Sequence, residues 1–254
     1  MTPRGHYPDL AGRVILITGG ASGIGEAHVR AFAASGCKTA FIDKQEEAGK
    51  ALEASLRGEG ANIAFVACDL LDIAALGAAI DQIGETLGPV HGLINNAAVD
   101  QRHDVDAMQP DDFDWMMSVN LRHAVFAAQR VLPQMRKLGG GSIVNTSSVA
   151  WMRGIANVPL YSAAKAAVIG FTNSLARAAG PDRIRVNAIA PGYVATPRQR
   201  ALWHDPEAEK RTIALQCLPD PIVPQDIAET ALFLCSDAAR MITKQCITIN
   251  GGSL

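Results

Sequence analysis

Val14-Ile15-Leu16-Ile17-Thr18-Gly19-Gly20-Ala21-Ser22-Gly23-Ile24-Gly25 is an apolar run that breaks into glycines and then resumes in a helical pattern. Four consecutive bulky aliphatic residues suit a strand buried on both faces. Glycines let the chain turn tightly and bring backbone N–H groups toward a pyrophosphate at the positive end of the next helix. Gly19, Gly23 and Gly25 are spaced GxxxGxG rather than GxGxxG. Any tight strand-to-helix turn would look similar, but this loop follows the first strand, which points to dinucleotide binding through Gly19, Ser22, Gly23, Ile24 and Gly25.

Outward from that stretch, short apolar runs alternate with longer Ala-rich helical patterns. Strands are expected at 39–42, 63–66, 91–94, 142–145, 184–189 and 246–249. Helices are expected at 24–35, 46–57, 72–87, 111–138, 161–179 and 225–235. Near-continuous apolar strands separated by helices mean a parallel sheet covered on both faces. The expected fold is α/β, a Rossmann-like doubly wound parallel sheet of about seven strands, in one domain over 1–254. The proline-rich stretch from Gly192 to Pro224 reads as irregular, and a long irregular segment in a compact domain is usually functional. It is expected to form a substrate lid at about 193–224.

The chain has 254 residues, 48% of them hydrophobic and 19% charged, enough for a substantial core. A net charge of −2 lacks the basic field that holds phosphate backbones, so no nucleic acid partner is expected. No run approaches the ~18 apolar residues of a membrane span. The five cysteines are widely spaced and show neither a disulfide framework nor metal-ligand spacing. They are expected to be free thiols, mostly buried, in a reducing compartment. Met1 to Leu10 carries charges and no apolar run, so a cytoplasmic protein without a secretory leader is expected.

Asp43 ends the second strand, where a carboxylate can accept hydrogen bonds from an adenosine ribose. It would repel a 2′-phosphate, which favours NAD over NADP. Lys44 partly offsets that argument, but no basic residue lies inside the glycine loop; a plain helix N-cap is the bland alternative for Asp43. Asp69-Leu70 and Asn95-Asn96-Ala97-Ala98 follow the third and fourth strands at ligand-facing strand ends. Asp69 suits the adenine amino group or a helix cap, and Asn95 suits a tie between strands. Pro191, Gly192, Val194 and Thr196 leave the sixth strand, with Thr196 placed for a nicotinamide carboxamide.

Tyr161 and Lys165 stand four residues apart, on one helix face. A phenol with a reference pKa of ~10 is a poor base at neutral pH, and a nearby cation favours its phenolate. Ser148 follows the fifth strand and suits a hydrogen bond to the reacting oxygen. Asn120 lies inside a long helix although Asn is a poor helix former; a local bend and a water-held Lys165 would account for it.

Taken together, these residues resemble the short-chain dehydrogenase/reductase family over nearly the whole chain. Its TGxxxGxG loop matches Thr18 to Gly25, its NNAG segment Asn95 to Ala98 (with Ala98 replacing glycine), and its PGxVxTP turn Pro191 to Pro197. Its catalytic tetrad falls on Asn120, Ser148, Tyr161 and Lys165. The resemblance implies a nicotinamide cofactor and a homotetramer. Asp100, Arg102, His103, Trp151, Gln199 and Trp203, with Ser148 and Tyr161, are the candidate substrate residues, and Arg122-His123 adds another polar pair. Polar donors beside tryptophan faces suit a polyhydroxylated ligand. Val119 to His123, Arg198 to Trp203 and Gln216 to Leu218 are similar to NAD-dependent sugar dehydrogenases that oxidise C1 of an aldose to a lactone. Alternatives are a polyol dehydrogenase, a 3-oxoacyl or carbonyl reductase, and a catalytically silent dinucleotide-binding regulator.

Overall fold

The computed structural model describes residues 4–196 and 206–254. Strand β1 (Val14–Thr18) is buried along its whole length. It pairs in parallel with β2 (Lys38–Asp43) on one side and β4 (Val90–Asn95) on the other. With β3 (Ile63–Ala67), β5 (Gly141–Thr146), β6 (Ile184–Pro191) and β7 (Cys246–Ile249), the sheet has seven strands in the order 3-2-1-4-5-6-7. The order reverses between β1 and β4, and open α/β sheets bind ligands beyond the carboxyl ends of their strands at such a point.

Successive side chains of a strand point to opposite faces. Ile15 and Ile17 pack with α1 (Gly23–Ala34), α2 (Glu46–Gly58) and the helix Pro224–Cys235. Val14 and Leu16 pack on the other face with α3 (Ile73–Leu87), α5 (His123–Leu138) and α7 (Pro159–Ala179). Two apolar layers thus sandwich the sheet, and each helix needs only one apolar stripe to bury.

Most expected elements are present, with ends shifted by a residue or two. Three expectations need correction. The expected helix 111–138 is α4 (Pro110–Met117) and α5 joined through a π-helical turn, Ser118–Arg122. The stretch 192–224 is not wholly irregular, since Pro206–Ala214 is helical. Val194 pairs in parallel with Ile222, and the N–H groups of Cys217 and Leu218 donate to the Gly251 carbonyl at 2.8 and 3.0 Å. Periodicity missed that helix because its face is largely charged, with Glu207, Glu209, Lys210 and Arg211. All five thiols are free, but only Cys37 and Cys235 are buried. Cys217 is exposed because it seats on the chain-terminal turn rather than in the core.

His28 on α1 is fully buried, and neither ring nitrogen has a partner among the described residues. Burial lowers its pKa from 6.5 to about 4. His123 is lowered equally far, by burial and then by the Lys165 charge. Between those values the unfolded chain takes up protons that the native state refuses, so native stability is full above pH ~6.5 and falls toward pH ~4. The loss is on the order of 3 kcal/mol per histidine. In urea melts from pH 7 to 4, His28→Leu should therefore lose less stability than the unmodified protein. Parallel pH curves would show that His28 is not a source of the acid sensitivity.

Candidate functional site

The glycine loop closes by contacts that leave no room for side chains. A Cβ on Gly25 would lie 1.8 Å from the Gly19 carbonyl oxygen and 2.7 Å from the Asn96 amide. Gly23 opens α1 at φ +59°, the left-handed region that glycine adopts without strain. Ser22, the N-cap of α1, makes no side-chain cap, so its hydroxyl does not occupy the helix's first N–H groups, which at any helix start suit an anion. Thr196 lies across from Gly23, its methyl carbon 3.4 Å from where a Cβ would stand. The loops after β1 and β6 therefore meet, as a ligand spanning both would require.

Asp43 is buried at the end of β2. One carboxylate oxygen accepts from the Ala21 N–H at 3.0 Å, and the other from the Gln45 N–H at 2.9 Å. Gln45 is the N-cap of α2, so Asp43 is not the plain cap. Its carboxylate clamps the glycine loop to β2 and, after the three recorded donors, keeps one lone pair on the oxygen that takes Ala21. Gln45, which sequence reasoning missed, donates through its amide to Asp43 and to the Ser22 hydroxyl. Asp69 is exposed and accepts from the Leu71 N–H at 3.0 Å; the cap of α3 is Asp72, and Leu70 is partly buried beside it.

Asn95 ties strands together. Its amide donates to Asn145 at 2.8 Å and to the Ala124 carbonyl at 3.2 Å, and Asn145 donates to Thr172 of α7. Asn96 donates to the Thr18 and Gly19 carbonyls at 3.1 and 3.0 Å. The Thr18 hydroxyl accepts in turn from the Asn96 and Ala97 N–H groups. These contacts seal the segment after β4 against the glycine loop. Thr18 was legible only as a motif letter, because its work depends on a segment 78 residues away.

Tyr161 and Lys165 share a face of α7, with the Lys165 ammonium 5.7 Å from the Tyr161 ring centre. Lys165 is 1% exposed, and its ammonium donates to the Thr146 carbonyl at 2.7 Å. Burial pulls its pKa from 10.5 to about 7. Ser147 anchors this geometry, its hydroxyl donating to the Lys165 carbonyl at 2.7 Å; it too escaped sequence reasoning. Ser148, next along the chain, is half-buried and accepts from the Ala150 N–H at the start of the short helix α6 (Ala150–Arg153). Asn120 lies buried in the π-turn, so it is neither exposed nor idle. Its amide donates to the Met116 and Val99 carbonyls, and its oxygen accepts from the Val99 N–H, each at 3.0 Å.

Among the substrate candidates, Arg102 and His103 line a cleft of about 420 Å³ with Asp104, Val105, Ala156 and Asn157. The His103 N–H donates to the Asn157 carbonyl, which joins the loop after β4 to the approach to α7. The ring is mostly buried, 3.9 Å from the Asp112 carboxylate. Asp100 and Trp151 are half-buried, and the indole N–H has no partner among the described residues. Gln199 and Trp203, with Arg198, lie outside the described residues. The Arg122-His123 pair is bonded to backbone carbonyls. Arg122 donates to the Leu71 carbonyl, and His123 is buried against Ala97. A polar pair in sequence says nothing about direction, and the π-turn decides it.

Residues 19–253 match the protein-family profile described as enoyl-(acyl carrier protein) reductase. The chain belongs to the short-chain dehydrogenase/reductase family. Enzymes of this family use a nicotinamide dinucleotide, and the helix start without a side-chain cap, the close-packed glycines and the buried carboxylate fit one. The chain is 45% identical to "Probable galactose dehydrogenase GalD" of Rhizobium meliloti, covering 98% of each chain. It is 41% identical to a D-xylose 1-dehydrogenase of Caulobacter vibrioides, covering 97% of each. A solved 3-oxoacyl-[acyl-carrier protein] reductase from Brucella melitensis superposes with a TM-score of 0.90 at 34% identity, over 98% of this chain and 94% of that one. In this short-chain dehydrogenase/reductase the architecture is shared with relatives of quite different substrates, so substrate choice rests on the loops around the cleft.

Proposed function

We propose that this protein is an NAD-dependent sugar dehydrogenase that oxidises C1 of an aldose to a lactone. The observation that carries the carbohydrate reading is the near-full-length identity to two sugar dehydrogenases. Arg102, His103, Asp104 and Asn157 on the cleft wall supply polar groups that a sugar's hydroxyls can use. The reductase likeness is weaker in identity, and Asp43 speaks against the NADPH that reductive biosynthesis draws on.

In this reading Tyr161 takes the proton of the sugar hydroxyl, and Ser148 donates a hydrogen bond that holds the reacting oxygen beside it. Lys165 stabilises the phenolate and anchors the nicotinamide ribose. Asn120 supports the proton relay behind Lys165. The bound nicotinamide supplies the hydride acceptor, so alcohol and NAD give carbonyl, NADH and a proton. Gly19, Ser22, Gly23, Ile24 and Gly25 hold the pyrophosphate, Asp43 the adenosine ribose, and Asp69 and Leu70 the adenine. Asn96, Ala97, Pro191, Gly192, Val194 and Thr196 line the nicotinamide end. Asp100, Arg102, His103, Trp151, Gln199 and Trp203 contact the sugar, the last two from a lid at 193–224. The chain works as one domain, assembled as a homotetramer in the cytoplasm; no helix among the described residues is long and apolar enough to cross a membrane.

Following NADH absorbance with pentoses, hexoses, polyols and acyl alcohols tests the reading. Turnover on an aldose is expected. Turnover on acyl alcohols but on no sugar overturns it. NAD should be preferred to NADP by at least about tenfold in kcat/KM, ~1.4 kcal/mol, because a 2′-phosphate would lose the Asp43 hydrogen bonds and meet its charge. Asp43→Ala should shrink that preference, and equal kcat/KM for both cofactors in the unmodified protein would contradict it.

A further inference from the structure

We infer that His123 is a positioning residue, which holds the segment Asn96–Val99 against the glycine loop through a hydrogen bond to the Ala97 carbonyl. The inference rests on the reading of that segment as the nicotinamide wall. Four side chains pin the segment, one being Thr18, whose hydroxyl accepts from the Asn96 and Ala97 N–H groups. Asn96 reaches back to Thr18 and Gly19. Asn120 holds Val99 through both its backbone groups. His123 covers the stretch between them, its Nε2 3.1 Å from the Ala97 oxygen. Asn120 and His123 are three residues apart, so one side of a single helix grips two successive points of the segment. The π-turn Ser118–Arg122 ends immediately before His123.

The position of Ala97 is sensitive because the glycine loop lies directly on it. A Cβ on Gly19 would come within 2.8 Å of the Ala97 Cα. A shift of a few tenths of an ångström at Ala97 therefore moves the wall relative to the loop that holds the cofactor's phosphates. The Ala97 oxygen can only accept, so a hydrogen bond there puts the hydrogen on Nε2; the Val119 carbonyl is a second acceptor facing the ring, and burial keeps the imidazole neutral. The charged group facing it is Lys165 of α7, which opposes a second cation in the same buried space. His123 is 1% exposed, so no substrate or solvent role competes with this one.

The test compares His123→Phe, which keeps the ring and loses the donor, with His123→Gln, which keeps an N–H donor. NADH affinity is read by fluorescence titration without any sugar present, and melting temperature is followed alongside. For His123→Phe, NADH dissociation and KM for NAD should rise about tenfold, in line with a buried acceptor left unpaired, while kcat at saturating NAD falls less. His123→Gln should recover affinity to within about threefold of the unmodified protein. Unchanged NADH affinity in a folded His123→Phe overturns the inference, and so do equal losses in Phe and Gln variants, which would mark a packing role. If His123→Phe does not fold, a His123→Gln that folds and still binds NADH about tenfold more weakly overturns it as well. Because the titration needs no turnover, absence of sugar oxidation sinks the proposed function and leaves this result readable.

Discussion

Tyr161→Phe should lower kcat by at least ~10²–10⁴-fold, the usual worth of general base catalysis, while NAD affinity stays within about twofold of the unmodified protein. The ring that packs near Lys165 is retained, and only the hydroxyl proposed to take the proton is removed. Stopped-flow or steady-state rates on an aldose, together with NADH titration, check both halves. A variant that keeps most of its activity would remove Tyr161 from the chemistry and leave the pair a structural one.

Lys165→Met should do more damage than Tyr161→Phe, because two functions are lost at once. The ammonium lies fully buried with its charge disfavoured, held by the Thr146 carbonyl. Burial alone brings its pKa to about 7, so a neighbouring phenolate and the retained Lys165 proton stabilise each other. A cation this near a phenol favours its charged form. Removing the cation raises the phenol pKa, so the rising limb of the pH–rate profile should move to higher pH by about one to two units. NAD affinity should weaken in the same variant, because the proposed ribose anchor is gone. The double variant should lose little more than Lys165→Met alone, since residues acting as one unit are non-additive. A rising limb that stays in place in Lys165→Met would contradict this account of the pair.

Much of this site was legible in the chain because its elements are local. The loop Thr18–Gly25 needs glycine wherever a Cβ would strike the backbone, and a turn of α-helix puts Tyr161 and Lys165 on one face in any context. Asp43 was legible as the end of a strand, but not as a clamp on Ala21, because that bond joins two strand ends brought together by sheet pairing. The helix Pro206–Ala214 was missed because a charged helix held at a surface has no apolar period to detect.

Sequence alone determined the parallel sheet of about seven strands, the tight glycine turn after β1 and the spacing of Tyr161 and Lys165 on one helix face. Those properties follow from hydrophobic period, glycine stereochemistry and helix pitch, all of which act over a few residues. Only the tertiary structure decided that Arg122 and His123 bond the Leu71 and Ala97 carbonyls, that Asn120 grips Val99, and that Ser147 and Thr146 hold Lys165. The reason is physical: a hydrogen bond between residues 18 or 26 positions apart is set by where the sheet and helices place them, and composition carries no record of that distance.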